Sequence, residues 1–268
     1  LPLIQKNNAD VDVSDHDKMV ELTLSECEKF QDYINESLSM FAKRMINLDD
    51  HRFVFKQEVI APNGIFISKK RYSLWIIDQE GMRVDELLVK GIDIVRSNFP
   101  KSFKVLLTDV ITGLLKGKDK DSIDDIVISF KQNMKNEPIE DIAMSTGVKK
   151  IKKFLGPDKQ SIKGTPAHVR SAINYNLMLK DVTTDTQYTE IVGGDKIKWV
   201  YLKTNPYGIN KIAFKATDNP SEIMSFVREF IDINTLYEKL AFNKIQTFYE
   251  AVKWALPVDP RNTLMRFF

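Results

Sequence analysis

The stretch Ile67-Ser-Lys-Lys-Arg-Tyr-Ser-Leu-Trp-Ile-Ile-Asp78 joins a cluster of cations to a run that is typical of a buried β-strand. Because side chains alternate in a strand, Lys70 and Tyr72 are expected on one face and Lys69 and Arg71 on the other. A lysine and a tyrosine on one face can hydrogen-bond to minor-groove acceptors of a duplex, which every base pair offers. The alternative is a solvated strand end whose cations keep the sheet edge soluble.

The residues on both sides of this stretch predict a long helix packed on an antiparallel meander. Apolar residues recur at three- and four-residue steps from Ser14 to Ile46, which predicts an amphipathic helix. The β-rich runs Phe53–Ile60 and Ile65–Asp78 flank a strong Asn63-Gly64 turn signal and predict a hairpin. Met82–Val89 is expected to add a third strand after a Gly-containing turn.

The pattern becomes mainly helical after Pro100, where apolar stripes return at helical spacing. Thr165–Leu179 predicts another helix, and the alternating runs Lys196–Lys203 and Ile209–Lys215 predict a strand pair. A helical pattern then runs from Ser221 to Leu256. The predicted fold class is α+β, with antiparallel strands and a long helix in residues 1–95, a mainly helical domain in 96–256 and an extended tail in 257–268.

Composition limits the classes of protein to which the chain can belong. Its 268 residues suit two domains, and 39 Lys+Arg nearly balance 37 Asp+Glu, so net charge does not indicate a nucleic-acid partner. The single cysteine, Cys27, excludes an internal disulfide and favours a reducing cytoplasm. We expect no membrane span and no secretion signal. The chain starts without an initiator methionine, so we expect it to be a trimmed or excised piece.

Two further cationic segments are candidates for phosphate contacts. Six lysines and one acid lie between Lys149 and Lys163, and such a run can follow a phosphate backbone or simply form a solvated face. Thr165-Pro-Ala-His-Val-Arg170 puts a hydroxyl, a histidine and an arginine at a helix N-terminus, which is either an anion site or an ordinary cap with a packed histidine.

The acidic residues do not predict a metal site. Asp49-Asp50, Asp85-Glu86 and Asp124-Asp125 are adjacent pairs whose carboxylates diverge in regular structure, so we interpret them as surface charge. Glu58 differs because it lies in a strand expected to be half-buried, where a carboxylate needs a partner. No Ser/His/Asp set, Walker loop or dinucleotide fingerprint is present. The residues alone therefore predict cationic surfaces without a complete active site.

Several motifs occur in an order that resembles the end of the palm and the start of the thumb in family B DNA polymerases. They are Lys69-Lys-Arg-Tyr72, Lys90-Gly-Ile-Asp-Ile-Val-Arg-Ser97, Lys163-Gly-Thr-Pro-Ala-His-Val-Arg170 and Leu202-Lys-Thr-Asn-Pro-Tyr-Gly208. The likeness is strongest to the replicative enzymes of tailed phages. It implies that residues 1–95 are the palm remainder, 96–256 the thumb and 257–268 a clamp-binding tail.

The resemblance also implies roles for individual residues. Lys70 and Tyr72 would contact the minor groove of newly made duplex, and Glu58 would be an auxiliary palm carboxylate near the catalytic metals. The tail resembles a sliding-clamp peptide with Leu264, Phe267 and Phe268 as anchors, although it could also fold back on the core. The DNA-binding residues implied are Lys69, Lys70, Arg71, Tyr72, Lys90, Arg96, Ser97, Lys149, Lys150, Lys152, Lys153, His168 and Arg170.

One departure from the family pattern limits the expected activity. The family's metal-binding aspartates precede the helix that opens this chain, and no Asp-Thr-Asp-Ser occurs here. The resemblance therefore implies a DNA-directed DNA polymerase portion that binds primer-template DNA and a sliding clamp and is inactive alone. The complete enzyme would use Mg²⁺ held by an upstream portion, with no metal bound here. The alternative is a non-catalytic DNA-binding or clamp-binding replication accessory protein.

Overall fold

The computed structural model describes residues 16–185 and 187–257. The chain divides into two compact units. The first contains the described residues up to Phe66 together with Tyr72–Val89, and the second contains Ile67–Arg71 and the chain from Lys90 onward. Both helices and antiparallel strands are present, which confirms the predicted α+β class.

The first unit is built from one long helix and most of a four-stranded sheet. Helix α1 spans His16–Ile46, which confirms the amphipathic helix predicted there. The strands are β1 (Val59–Ile60), β2 (Asn63–Ser68), β3 (Arg71–Gln79) and β4 (Met82–Lys90). Strand β3 pairs with each of the other three, so it is the centre of the sheet. The third strand predicted over Met82–Val89 is confirmed.

The predicted hairpin around Asn63-Gly64 is wrong. Asn63 and Gly64 begin strand β2 itself, and the chain reverses at Lys69-Lys70 instead. Strand β1 pairs antiparallel with the far end of β3, where Val59 faces Gln79. An Asn-Gly pair is permissive for a turn but does not force one when sheet pairing uses its backbone groups.

The second unit begins with a short 3-10 turn, Asp93–Val95, and continues with helices. The further elements are α2 (Lys101–Leu115), α3 (Lys120–Asn133), α4 (Ile139–Ile142), β5 (Met144–Gly147), α5 (Ala167–Val182), β6 (Lys196–Tyr201) and β7 (Lys211–Phe214). The stripes predicted after Pro100 form helices α2 and α3, and the predicted strand pair forms β6 and β7. Strand β5 was not predicted and pairs with β6.

The continuous helix predicted from Ser221 to Leu256 is interrupted. It comprises α6 (Ser221–Phe230), α7 (Ile233–Tyr237), a π-helical turn (Glu238–Phe242) and α8 (Asn243–Ala251). Asp232 provides a new N-cap, because its side chain accepts a hydrogen bond from the Thr235 amide at 3.0 Å. The period of the apolar residues does not locate this break, because α6 and α7, on either side of it, both turn their apolar faces to the core.

The core of the second unit uses the stripes that the sequence indicates. Phe103, Leu107 and Ile111 of α2 are fully buried, as is Ile123 of α3. Asp124, predicted as surface charge, is instead half-buried, because it accepts a hydrogen bond from the Tyr249 hydroxyl at 2.7 Å and pairs with Lys120. Burial, and then this bond, raises the pKa of Tyr249. None of the helices in the described residues is long and apolar enough to cross a bilayer.

Candidate nucleic-acid interface

The Lys69-Lys70 pair forms the turn between β2 and β3 and does not belong to a strand. Lys70 has a left-handed backbone with φ of 63°, and both lysines are exposed. The predicted alternation of side chains across residues 69–72 therefore does not apply, because it requires an extended backbone at each position. A two-residue turn with two ammonium groups at its tip still presents both cations to solvent.

Arg71 and Tyr72 begin strand β3. Arg71 is exposed, whereas Tyr72 is half-buried and stacks on Phe66 of β2 with ring centroids 5.8 Å apart. Phe66 itself is 70% exposed, so the pair forms an aromatic surface in the first unit. Flat exposed aromatic surfaces of this kind suit contact with a sugar or a base edge.

Lys90, Arg96 and Ser97 are the predicted contacts that follow the sheet, and all three are exposed. Lys90 is the last residue of β4. Arg96 ends the 3-10 turn, where its Nη1 lies 3.0 Å from Oδ1 of Asp93. The guanidinium is thus held by a carboxylate while most of its surface remains open to solvent.

The lysine run forms an exposed loop around one turn of 3-10 helix, Ile151–Phe154. Ile151 is buried and anchors the loop, while Lys150 adopts a left-handed backbone. The lysines on both sides of Ile151 project from this anchor without an acidic partner in the described residues. The exposed members are Lys149, Lys150, Lys152, Lys153, Lys159 and Lys163.

The predicted anion site at the start of α5 is only partly present. Pro166 is the N-cap, and the Thr165 hydroxyl donates to the Ile162 carbonyl at 2.6 Å, so this hydroxyl is already committed. His168 lies in the first turn, and burial lowers its pKa. Arg170 is half-buried, with a solvent-shielded Nε that has no hydrogen-bond partner. A shielded donor without a partner is energetically unfavourable.

Arg170 belongs to a cluster of three cations that the sequence analysis did not predict as a group. Lys211, at the start of β7, and Lys239, in the π-helical turn, lie 5.3 and 5.7 Å from the ring centroid of Tyr201. Burial lowers the pKa of Lys211, and the positive charges of Arg170 and Lys239 lower it further. We call Arg170, Lys211 and Lys239 the cation cluster.

No carboxylate of the described residues pairs with any member of the cation cluster. Lys211 is repelled by both Arg170 and Lys239, so the three side chains form a site of positive potential, which an anion would stabilise. Both lysines also use the face of Tyr201, a weak attraction that only partly offsets the repulsion. Charge and geometry together therefore suit a phosphate group.

Local packing fixes the arrangement of this cluster. Tyr201 and Lys211 face each other across the antiparallel pair of β6 and β7. The Asn174 side chain donates to the Lys211 carbonyl at 2.8 Å, which sets helix α5 against the start of β7. Arg170 lies one helical turn before Asn174, so it reaches the same end of the strand pair.

Sequence reasoning could not have assembled Lys211 and Lys239 with Arg170, because they are separated by dozens of residues. One signal was nevertheless available: Lys211 follows closely on the Asn205-Pro-Tyr-Gly208 turn that carried part of the family resemblance. For Lys239 no comparable signal exists, since it lies at an irregular π-helical turn.

The carboxylates do not form a metal centre. No group of three or more histidine, cysteine, aspartate or glutamate side chains that could hold a metal ion is found among the described residues. Glu58 is exposed and precedes β1, so the expectation of a half-buried strand carboxylate is wrong. Its backbone carbonyl accepts the Glu80 amide at 2.9 Å, while its side chain is open to solvent. The described residues thus contain no group that could hold the Mg²⁺ implied by the resemblance.

Comparison with protein families relates the chain to DNA polymerases. The model of DNA polymerase family B matches residues 19–250, which is most of the chain. The chain therefore belongs to DNA polymerase family B. A search of curated proteins gave no match. Family membership associates the chain with a DNA polymerase function and with DNA as the substrate. The predicted clamp anchors Leu264, Phe267 and Phe268 lie outside the described residues.

Proposed function

We propose that this chain is the duplex-gripping portion of a replicative, phage-type DNA-directed DNA polymerase. Residues 1–95 act as the palm remainder, 96–256 as the thumb and 257–268 as a tether to a sliding clamp. A separate upstream portion provides the carboxylates and Mg²⁺ for nucleotidyl transfer. The observation that carries the proposal is the cation cluster, whose three members lack acidic partners in the described chain.

Sequence-independent contact with duplex explains why these cations are left without carboxylates. Phosphate oxygens accept hydrogen bonds from Arg and Lys and neutralise them, while counterions are released from the DNA. The Lys69-Lys70 turn, Arg71, Tyr72 and Lys90 would add minor-groove and sugar contacts. His168 and the exposed lysines around Ile151 would add phosphate contacts further along the same strand.

The requirement for an upstream portion is supported by an apolar surface on the first unit. Phe30, Tyr33, Phe41 and Met45 of α1 are each more than half exposed. At 3.6 residues per turn they share a stripe of roughly a third of the helix circumference. A contiguous stripe of large apolar side chains marks a protein contact surface.

A neighbouring segment extends this surface. The Asn35 side chain of α1 donates to the Phe55 carbonyl at 3.0 Å and accepts from the Phe55 amide at 2.7 Å. It therefore pairs with both backbone groups of Phe55, as a neighbouring β-strand would, and holds the segment around Phe55 against α1. Phe53, Val54 and Phe55 nevertheless remain exposed. We propose that the upstream portion of the palm packs on this surface. The carboxylates of that portion would then lie beside the chain that binds the duplex.

Primer extension tests the proposal directly. The purified chain should bind primer-template duplex but incorporate no nucleotide with Mg²⁺, because two-metal catalysis needs carboxylates that the described residues do not group together. Addition of an upstream polymerase portion that carries the aspartate motif should restore incorporation. A matched upstream portion with those aspartates changed to alanine is the control.

The outcomes separate the proposal from its alternative. Incorporation by the chain alone would contradict the need for a partner, and failure to bind duplex would contradict the gripping role. Duplex binding without complementation by the upstream portion would instead favour a non-catalytic DNA-binding or clamp-binding accessory protein.

A further inference from the structure

Asp93 contacts two cations that come from distant parts of the second unit. Its Oδ1 lies 3.0 Å from Nη1 of Arg96, and its Oδ2 lies 3.3 Å from Nζ of Lys244. Asp93 begins the 3-10 turn that Arg96 ends, whereas Lys244 belongs to helix α8. One carboxylate therefore connects the segment after β4 to the last helix of the described chain.

The two cations differ in their exposure to solvent. The side chain of Lys244 is 17% exposed and that of Asp93 is 23% exposed, whereas Arg96 is 67% exposed. The Lys244 ammonium also lies 5.4 Å from the ring centroid of Phe99, which fixes it from another side. A pair shielded in this way is screened less by salt than a surface pair. Lys244 thus anchors Asp93, and the anchored carboxylate restrains an exposed arginine.

The same segment also lies against the Lys69-Lys70 turn. Gly91, two residues before Asp93, has φ of 67°, and a Cβ built on it would lie 2.2 Å from the Lys70 carbonyl oxygen. Only glycine accommodates both this backbone conformation and this close approach. Asp93 therefore holds a segment that also packs against the backbone of the Lys69-Lys70 turn.

We propose that Asp93 is a positioning residue for duplex binding, acting through Arg96 and through the segment that backs the Lys69-Lys70 turn. This inference rests on the proposed function, because it takes Arg96 and the turn as duplex contacts. Held by Asp93, the Arg96 side chain loses less rotamer freedom when it meets a phosphate. Asp93 itself contacts no DNA, since a carboxylate and a phosphate repel each other.

Positioning and simple charge make opposite predictions for the neutral variant Asp93→Asn. Removal of a negative charge beside a DNA-binding surface should tighten binding if charge alone matters. Loss of positioning should weaken binding, although the protein becomes more positive. We expect Asp93→Asn to bind primer-template duplex about tenfold more weakly, the factor that corresponds to loss of one hydrogen bond to a charged group.

The experiment compares the full chain with three variants by fluorescence anisotropy on one labelled primer-template duplex. Asp93→Glu restores the charge and should recover most of the affinity. Asp141→Asn removes a carboxylate that pairs with Lys101 at 3.4 Å and has similar exposure, so it is the matched control and should not weaken binding. Melting curves establish that each variant is folded at the assay temperature.

A second comparison tests whether Asp93 acts through Arg96. In the Arg96→Gln background, Asp93→Asn should cost less affinity than it does in the parent, because the residue that it restrains is gone. If the parent binds duplex and Asp93→Asn binds as tightly or more tightly, the inference fails while the proposed function stands. An equal cost in both backgrounds would overturn the proposed action of Asp93 through Arg96. If the parent does not bind duplex, the proposed function fails, and the inference fails with it.

Discussion

The cation cluster makes the sharpest prediction, because substitution of either lysine should weaken DNA binding and substitution of Lys211 should also stabilise the free protein. We consider Lys211→Gln, Lys239→Gln and the double variant. Removal of one lysine–phosphate interaction should make the slope of log affinity against log salt concentration less steep by about 0.9. Over a fourfold change in salt, from about 50 to about 200 mM, this corresponds to about a 3.5-fold difference in affinity for each such interaction.

The assay is a salt titration of primer-template binding. We expect the slope to change by about 0.9 for each single variant and by about 1.8 for the double variant. Lys180→Gln is the matched control, because Lys180 lies on the same helix as Arg170 but already pairs with Glu190 at 2.7 Å. A slope that is the same in the double variant and in the parent would refute the assignment of these lysines to phosphates.

Stability of the free protein gives an independent measurement. Burial lowers the pKa of Lys211, with further contributions from Arg170 and Lys239, so the charged lysine destabilises the fold. Between the lowered pKa of Lys211 in the folded protein and its ordinary pKa of 10.5, the unfolded chain binds more protons than the folded chain. The stability of the parent therefore rises with pH in that range. Lys211→Gln should therefore melt higher than the parent near neutral pH, and the difference should shrink toward pH 10.5. A lower melting temperature for Lys211→Gln at neutral pH would contradict the repulsion argument.

Three further predictions concern the other proposed contacts. Lys70→Ala or Tyr72→Ala should weaken binding about equally on several duplex sequences, because minor-groove acceptors are nearly sequence-independent; strong dependence on base identity would exclude this assignment. Two double variants, in which alanine replaces both Lys149 and Lys150 or both Lys152 and Lys153, should bind with a slope of log affinity against log salt concentration that is less steep by about 0.9 for each phosphate interaction removed. Their melting temperatures should be unchanged, since these lysines are exposed. Phe267→Ala with Phe268→Ala should abolish binding to the cognate clamp in calorimetry while duplex affinity and melting stay the same, each anchor contributing about 2 kcal/mol; a lower melting temperature would assign the tail to the core.

Features with a regular period could be predicted from sequence. The helix over Ser14–Ile46 and the stripes after Pro100 are long enough for the 3.6-residue repeat to be unambiguous, and both predictions are confirmed. The strand after Gly81 is also confirmed, although its signal is a turn residue and not a period. Glu80 and Gly81 both adopt the positive φ that a tight hairpin turn uses.

The turn at Lys69-Lys70 could not be predicted, because lysine is not a turn residue and the run around it has a strand-like composition. Lys70 adopts a left-handed backbone that a lysine rarely takes without tertiary support. That support comes from Gly91, whose backbone lies against the Lys70 carbonyl. A contact between residues so far apart in sequence leaves no local signal, and the same is true of Glu58, whose exposure depends on where β1 begins.

Two surfaces of this chain are unfavourable in isolation, and they differ in chemistry. Phe30, Tyr33 and Met45 expose apolar area that burial would stabilise by about 25 cal/mol per Å². Lys211 keeps a cation where burial and like charges disfavour it. An apolar partner would not stabilise the cationic surface around Lys211, because it would desolvate the cations further. A phosphate would not stabilise the apolar surface of α1, because it would bury no apolar area. We therefore expect a different partner for each surface, so a variant that impairs one surface should leave binding to the other intact.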